Sequence, residues 1–101
     1  MAGAPELITA RKHLARIRDI ERNIRLRRYN GRNSTATHTT LTLHYGKVAA
    51  LEHGLPKELR GLIWAEHDLA ARVSLNRDAG QDRPELRKRL ADIRRDIKAN
   101  A

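Results

Sequence analysis

The amino-acid sequence predicts an all-α protein, a small bundle of about four helices with long basic helices at its two ends. Aliphatic residues recur at three- and four-residue steps through most of the chain, and turn-forming residues interrupt this pattern at only a few places. An isolated strand needs a partner strand, and no second candidate is present. At 101 residues the chain has the length of one domain, residues 1–101. We expect its two end helices to pair in a coiled-coil-like manner, either within one chain or between two chains.

The core is predicted to be aliphatic. Hydrophobic residues make up 40% of the chain, but it has no Phe, and its only aromatic residues are Tyr29, Tyr45 and Trp64. A core of Leu, Ile, Val and Ala in so short a chain is thin, and a second copy could complete it. The composition therefore favours a homo-oligomer.

The first helix is predicted from Pro5 to about Tyr29. Pro suits a first helical position, and the helix should end at Asn30-Gly31 because Gly adopts the left-handed cap conformation. One face is aliphatic throughout its length, at Leu7, Ala10, Leu14, Ile17, Ile20 and Ile24. The small polar residues at about 30–40 predict a flexible loop.

Residues 37–45 allow two interpretations. Alternation of Thr39, Leu41, Leu43 and Tyr45 is typical of a strand. The same stretch also fits a helix over about 40–53 with Thr40 as its N-cap, and the lack of a partner strand favours this helix.

Two further helices are predicted in the second half. One runs from Pro56 to about Asn76, and a loop follows at 77–82. Asp82 and Glu85 have the spacing of a capping box, which makes Asp82 the expected N-cap of the last helix. This helix extends to about Ala99 with a narrow spine, formed by Leu86, Leu90, Ile93 and Ile97.

Positive charge is concentrated at the two ends. Residues 1–33 hold nine Lys or Arg and three acidic residues, residues 77–101 hold eight and five, and residues 34–76 are neutral, within a net charge of +9. Clustered Arg favours a polyanionic partner, since guanidinium groups pair well with phosphate. We therefore expect a non-enzymatic nucleic-acid-binding protein that contacts DNA or RNA phosphates through its terminal helices. The candidate contacts are Arg18, Arg22, Arg25, Arg27, Arg28, Arg32, Lys57, Arg60, Arg94 and Arg95.

The centre of the chain, residues 47–64, resembles a helix-turn-helix motif. Ala50 and Gly54 have the Ala-x-x-x-Gly spacing of that motif, and the apolar Leu55 follows them. His53 and Arg60 depart from it, because they stand where buried aliphatic residues are expected. The resemblance implies a DNA-binding element, and the alternative is an ordinary helical hairpin.

Trp64 points to an alternative function. On a helical wheel it shares a face with Ala71 and Leu75, opposite the main aliphatic face of the third predicted helix. A helix with two apolar faces is either packed on both sides or presents an anchor to a protein partner. The second case predicts a phage-type inhibitor or adaptor that binds an acidic protein surface through these three residues and the Arg-rich faces.

Other features of the sequence narrow the function classes. No nucleophile stands beside a base and no Gly-rich phosphate loop is present, so we expect no enzyme and no cofactor. The five histidines have no metal-ligand spacing, so no metal site is predicted. No apolar segment has the length of a signal peptide or a transmembrane helix, which favours a cytoplasmic location and no membrane partner. The excess of Arg over Lys fits phosphate binding or a GC-rich bacterial or phage genome.

Overall fold

The computed structural model describes residues 4–26 and 34–101, and within them it is built from four helices. The helices are α1 (Ala4–Arg25), α2 (Ser34–Glu52), α3 (Lys57–Asp78) and α4 (Pro84–Asn100). The predicted all-α fold of about four helices is confirmed. The chain divides into two compact units, of which one contains Pro5–Gly54 and the other Leu55–Ala101. The expectation that both belong to one domain stays a prediction.

In the first unit, α1 and α2 pack side by side and run antiparallel. Glu6 near the start of α1 lies beside Gly54, just after α2 ends, whereas His13, about two turns further along α1, lies beside His44, which is about three turns before Gly54. The predicted face of α1 is buried at Leu7, Ala10, Leu14, Ile17 and Ile20. Val48 is the fully buried aliphatic side chain of α2.

The prediction for the start of α2 was wrong. Helix begins at Ser34, so residues 34–40 are helical, and the strand interpretation of 37–45 does not hold. Thr40 lies inside the helix and is not its N-cap. Threonine can be accommodated there because its hydroxyl can bond to a carbonyl one turn earlier, as Thr42 Oγ1 does to the His38 carbonyl at 3.0 Å. The remaining part of the predicted loop, 30–33, lies outside the described residues.

In the second unit, α3 and α4 pack against each other as a helical hairpin. Leu90 and Ile97 of the α4 spine are buried, while Leu86 and Ile93 are half-buried. Leu59, Ile63 and Leu69 are buried on α3. The expectation that α4 pairs with the N-terminal helix stays a prediction.

The α3–α4 connection differs from the predicted capping box. Arg83, not Asp82, is the N-cap of α4, and no side chain caps that end. The reason is Pro84, which occupies the first turn: the residue before a proline is excluded from helical backbone angles, and Arg83 has φ −121° and ψ 89°. Asp82 instead pairs with Arg87 at 3.1 Å.

Candidate functional site

A basic groove runs along the α3–α4 hairpin. Its floor is apolar and its rim carries five cationic side chains, with no carboxylate in the lining. The groove has a volume of about 500 Å³ and is lined by Val73, Arg77, Arg87, Leu90, Ala91, Arg94, Arg95 and Lys98. We call it the α3–α4 groove.

Helical spacing places the cations of α4 in line. Arg87, Arg94 and Lys98 follow one another at steps of seven and four residues, which puts them on one face over about 16 Å of helix. Arg77 faces them from the last turn of α3. The geometry therefore creates an extended positive strip along the hairpin.

Several cations of the groove are held in place by carboxylates. The Arg94 Nε donates a hydrogen bond of 3.1 Å to Glu66 on α3, and the Glu66 side chain is only 5% exposed. Arg95 pairs with Asp92 one turn earlier, and Arg87 pairs with Asp82. Among the described residues, the side chains of Arg77 and Lys98 have no ion-pair or hydrogen-bond partner. They leave the groove with uncompensated positive charge.

At the α3–α4 connection the groove continues into a smaller cavity of about 350 Å³. Val73, Arg77 and Arg87 line both spaces. The connecting segment lines its far side, and the complete lining is Val73, Asn76, Arg77, Gly80, Gln81, Asp82, Arg83 and Arg87. We call this cavity the closed end of the groove.

Two of the ten candidate phosphate contacts, Arg94 and Arg95, line the α3–α4 groove. Arg18, Arg22 and Arg25 lie on one face of α1, at steps of four and three residues; Arg25 is exposed and the other two are half-buried. These three therefore form a second basic surface, in the first unit. Arg27, Arg28 and Arg32 lie outside the described residues.

α3 would be the recognition helix of a helix-turn-helix motif, but the start of this helix is poorly suited to contact DNA. α2 ends at Glu52 and α3 begins at Lys57, with the Gly54 N–H bonded to the Leu51 carbonyl at 3.0 Å. Lys57 is exposed, but Arg60 is half-buried, and its Nε is buried without a hydrogen-bond partner among the described residues. Only one of these two cations is therefore well exposed.

The expected protein-interface face of α3 is partly exposed. Leu75 is 48% exposed, whereas Trp64 and Ala71 are half-buried. The Trp64 ring packs edge-on against the buried His67 ring, with 5.8 Å between centroids. Trp64 is thus held by its own helix and is neither a fully buried core residue nor a free anchor.

Sequence reasoning missed four cations of the groove and its closed end, namely Arg77, Arg83, Arg87 and Lys98. A signal was available, since the spacing of Arg87, Arg94 and Lys98 is that of one helical face. It also missed Glu66, which occupies a seam position between Leu62 and Leu69 on α3. An acidic residue at such a position indicates a buried partner on the facing helix.

It also missed a contact between two histidines. The Nδ1 atoms of His13 on α1 and His44 on α2 lie 2.9 Å apart, and the ring centroids are 5.1 Å apart. The pKa of His44 is lowered, first by its burial and then by the nearby positive charges of His13, Lys47 and Arg16. The two residues are 31 positions apart in the sequence, so no local motif predicts their contact.

Residues 4–26 and 34–101 contain neither a metal-binding cluster nor a membrane-crossing helix. No three His, Asp or Glu side chains are grouped closely enough to hold a metal ion. None of the helices is at once long and apolar enough to cross a bilayer.

Comparison of the whole chain with protein-family models, with curated proteins and with solved structures finds no match. The function must therefore be argued from the geometry of the chain itself.

Proposed function

We propose that this chain is a non-enzymatic nucleic-acid-binding protein that contacts phosphates through its Arg-rich surfaces. The observation that carries the proposal is the α3–α4 groove, whose lining combines five cations with an apolar floor and no carboxylate. Such a strip attracts a polyanion, because each phosphate that it neutralises releases bound counterions from the nucleic acid.

The lining also indicates which part of a nucleic acid is contacted. It contains no aromatic side chain on which a base could stack. Arg and Lys bind phosphate oxygens without reading the base sequence. We therefore expect binding to the backbone of a duplex with little sequence preference.

The basic face of α1 supports the same function. Arg18, Arg22 and Arg25 have the spacing of one helical face, as the groove cations of α4 do. Their positive charge near the C-terminal end of α1 also complements the helix dipole, so part of this cluster stabilises the helix itself. We assign α1 a secondary contribution for that reason.

A salt titration tests the proposal. Fluorescence anisotropy with a labelled duplex of about 20 base pairs should give a slope of log affinity against log salt of roughly −4 to −5, corresponding to about four to six phosphate contacts. The double variant Arg77→Gln/Lys98→Gln should flatten this slope by about 2, since each lost contact changes it by about 1.

A matched control removes the same charge elsewhere on the hairpin. Arg72→Gln/Lys88→Gln also replaces one Arg and one Lys, and both residues are exposed and lie outside the groove lining. This variant should keep most of the slope. If both double variants flatten the salt slope equally, net charge alone explains the binding, and the assignment to the groove is wrong.

The second candidate function is that of a protein adaptor. Its supporting observation is Leu75, which is 48% exposed beside the half-buried Ala71 and Trp64. The groove favours nucleic acid over this alternative because its cations are spaced along a strip. If the duplex fails to bind at low salt, the adaptor becomes the better hypothesis.

A further inference from the structure

We propose that the closed end of the α3–α4 groove holds the terminal phosphate of a nucleic-acid strand. This inference rests on the proposed function and adds to it the part of the ligand that is recognised. A phosphate monoester at a strand end differs chemically from the diesters inside the strand, because it carries a charge of about −1.5 to −2 at neutral pH.

The path of the groove supports recognition of a strand end. The α3–α4 groove and its closed end share Val73, Arg77 and Arg87, so a backbone that follows the cations of α4 toward the connection reaches the cavity. There the connecting residues from Gly80 to Arg83 form part of the lining. A strand that lies in the groove and ends at these connecting residues would place its last phosphate in the cavity.

Charge at the closed end matches a dianion. Three guanidinium groups line it, from Arg77, Arg83 and Arg87, against the single carboxylate of Asp82. That carboxylate is engaged by Arg87 at 3.1 Å. The lining therefore has an excess of two positive charges, whereas a diester would neutralise only one of them.

Hydrogen-bond donors are present beside these charges. The Arg77 and Arg83 side chains have no hydrogen-bond or ion-pair partner among the described residues, and Asn76 and Gln81, whose side chains carry amide donors, also line the cavity. A guanidinium can donate two hydrogen bonds to one phosphate group. The volume of about 350 Å³ is at the small end of the range for ligand clefts, and it accommodates a phosphate with its sugar.

The connection is already ordered by its own backbone. The Gln81 N–H bonds to the Asn76 carbonyl at 2.8 Å, and the Gly80 N–H bonds to the Arg77 carbonyl at 3.0 Å. Gly80 makes this cap possible because its φ is +74°, a left-handed conformation that other residues rarely adopt. The cavity thus needs little rearrangement to accept a ligand, which lowers the cost of binding.

The experiment compares duplexes of one sequence that carry phosphate at both 5′ ends, at both 3′ ends, or at neither. Either the 5′ or the 3′ form should bind about tenfold more tightly than the unphosphorylated duplex, a typical effect of additional charge-assisted hydrogen bonds. The variant Arg83→Gln should abolish this preference, and it should lower the affinity for the unphosphorylated duplex no more than the loss of another exposed charge does, because Arg83 lines only the closed end. The exposed Arg89, which lies outside both linings, provides the control Arg89→Gln, and this variant should retain the preference.

The outcomes separate this inference from the proposed function. If all three duplexes bind equally and with the expected salt slope, terminal recognition is wrong and the proposed function stands. If none of the duplexes binds, the proposed function is wrong, and the inference that rests on it is wrong as well. A mononucleotide that displaces the phosphorylated duplex at equal concentration would identify a free-nucleotide site instead and overturn the inference.

Discussion

Two glycines of the second unit differ in their backbone conformation. Gly80 has φ +74°, so its backbone conformation requires glycine although a Cβ would meet no atom within 4 Å. Gly61 lies inside α3, where a Cβ would also meet no atom within 4 Å, and its φ is not positive. Open space surrounds both residues, and only the backbone angle distinguishes them.

This difference predicts opposite effects of the same substitution. Gly80→Ala should lower the free energy of unfolding by about 1–2 kcal/mol, because a Cβ is strained in the left-handed region. Gly61→Ala should raise it by roughly 0.5–1 kcal/mol, because alanine loses less backbone entropy in a helix. Urea denaturation of the two variants measures both values. Stabilisation by Gly80→Ala would contradict the left-handed assignment.

The contact between His13 and His44 predicts a pH dependence of stability. In the neutral pair one Nδ1–H can donate to the other Nδ1, whereas protonation of both rings sets two N–H groups against each other. The pKa of His44 is lowered in the folded state, so the unfolded state binds more protons between the ordinary value of 6.5 and the lower folded value. Stability should therefore be complete above pH 6.5 and fall as the pH decreases through that window.

Thermal melts between about pH 7.5 and pH 5 measure this effect, and no single proton can contribute more than about 1.4 kcal/mol per pH unit. His44→Gln should weaken the dependence. The control His38→Gln, at an exposed position of the same helix, should retain it. A melting temperature that responds to pH equally in all three proteins would locate the effect elsewhere.

At the scale of the helix, the aliphatic spines predicted the elements and their buried faces. Five residues of the α1 face are buried as expected. Apolar side chains at three- and four-residue steps lie on one side of a helix, so they are removed from water together when that side packs. Helix starts were less predictable. α2 begins at Ser34, ahead of the expected cap at Thr40, and Arg83 rather than Asp82 caps α4 because Pro84 follows it.

The contact between Glu66 and Arg94 predicts the stability of the α3–α4 hairpin. Arg94→Gln removes the charge that faces a carboxylate of 5% exposure, and we expect a loss of about 1–3 kcal/mol. Arg95→Gln breaks only the exposed pair with Asp92 and should cost less than about 1 kcal/mol. Denaturation without nucleic acid measures both variants.

A double variant shows whether the buried charge is the cause. Replacing both partners, as in Glu66→Leu/Arg94→Leu, removes the buried carboxylate together with the charge that faces it and should recover most of the stability lost in Arg94→Gln. If it is less stable than Arg94→Gln, shape rather than charge determines the stability of this contact.

For the whole molecule, the proposed function depends on a net charge of +9 and on where the helices place it. The sequence located most of this charge at the two ends of the chain, and the structure arranges one part of it along the α3–α4 groove. If only the amount of charge mattered, variants of equal net charge would bind nucleic acid equally well. The paired comparison of groove and control variants at matched charge is therefore the informative measurement at this scale.

The helical class, the buried face of α1 and the aliphatic character of the core could be predicted from the amino-acid sequence, because they depend on periodicity and composition within one element. Which cations share a groove, which histidines touch and which carboxylate is buried became visible in the packed helices alone. Arg77 and Arg87 belong to different helices, as do His13 and His44. Their proximity depends on how two helices pack, and no local pattern in the chain encodes that register.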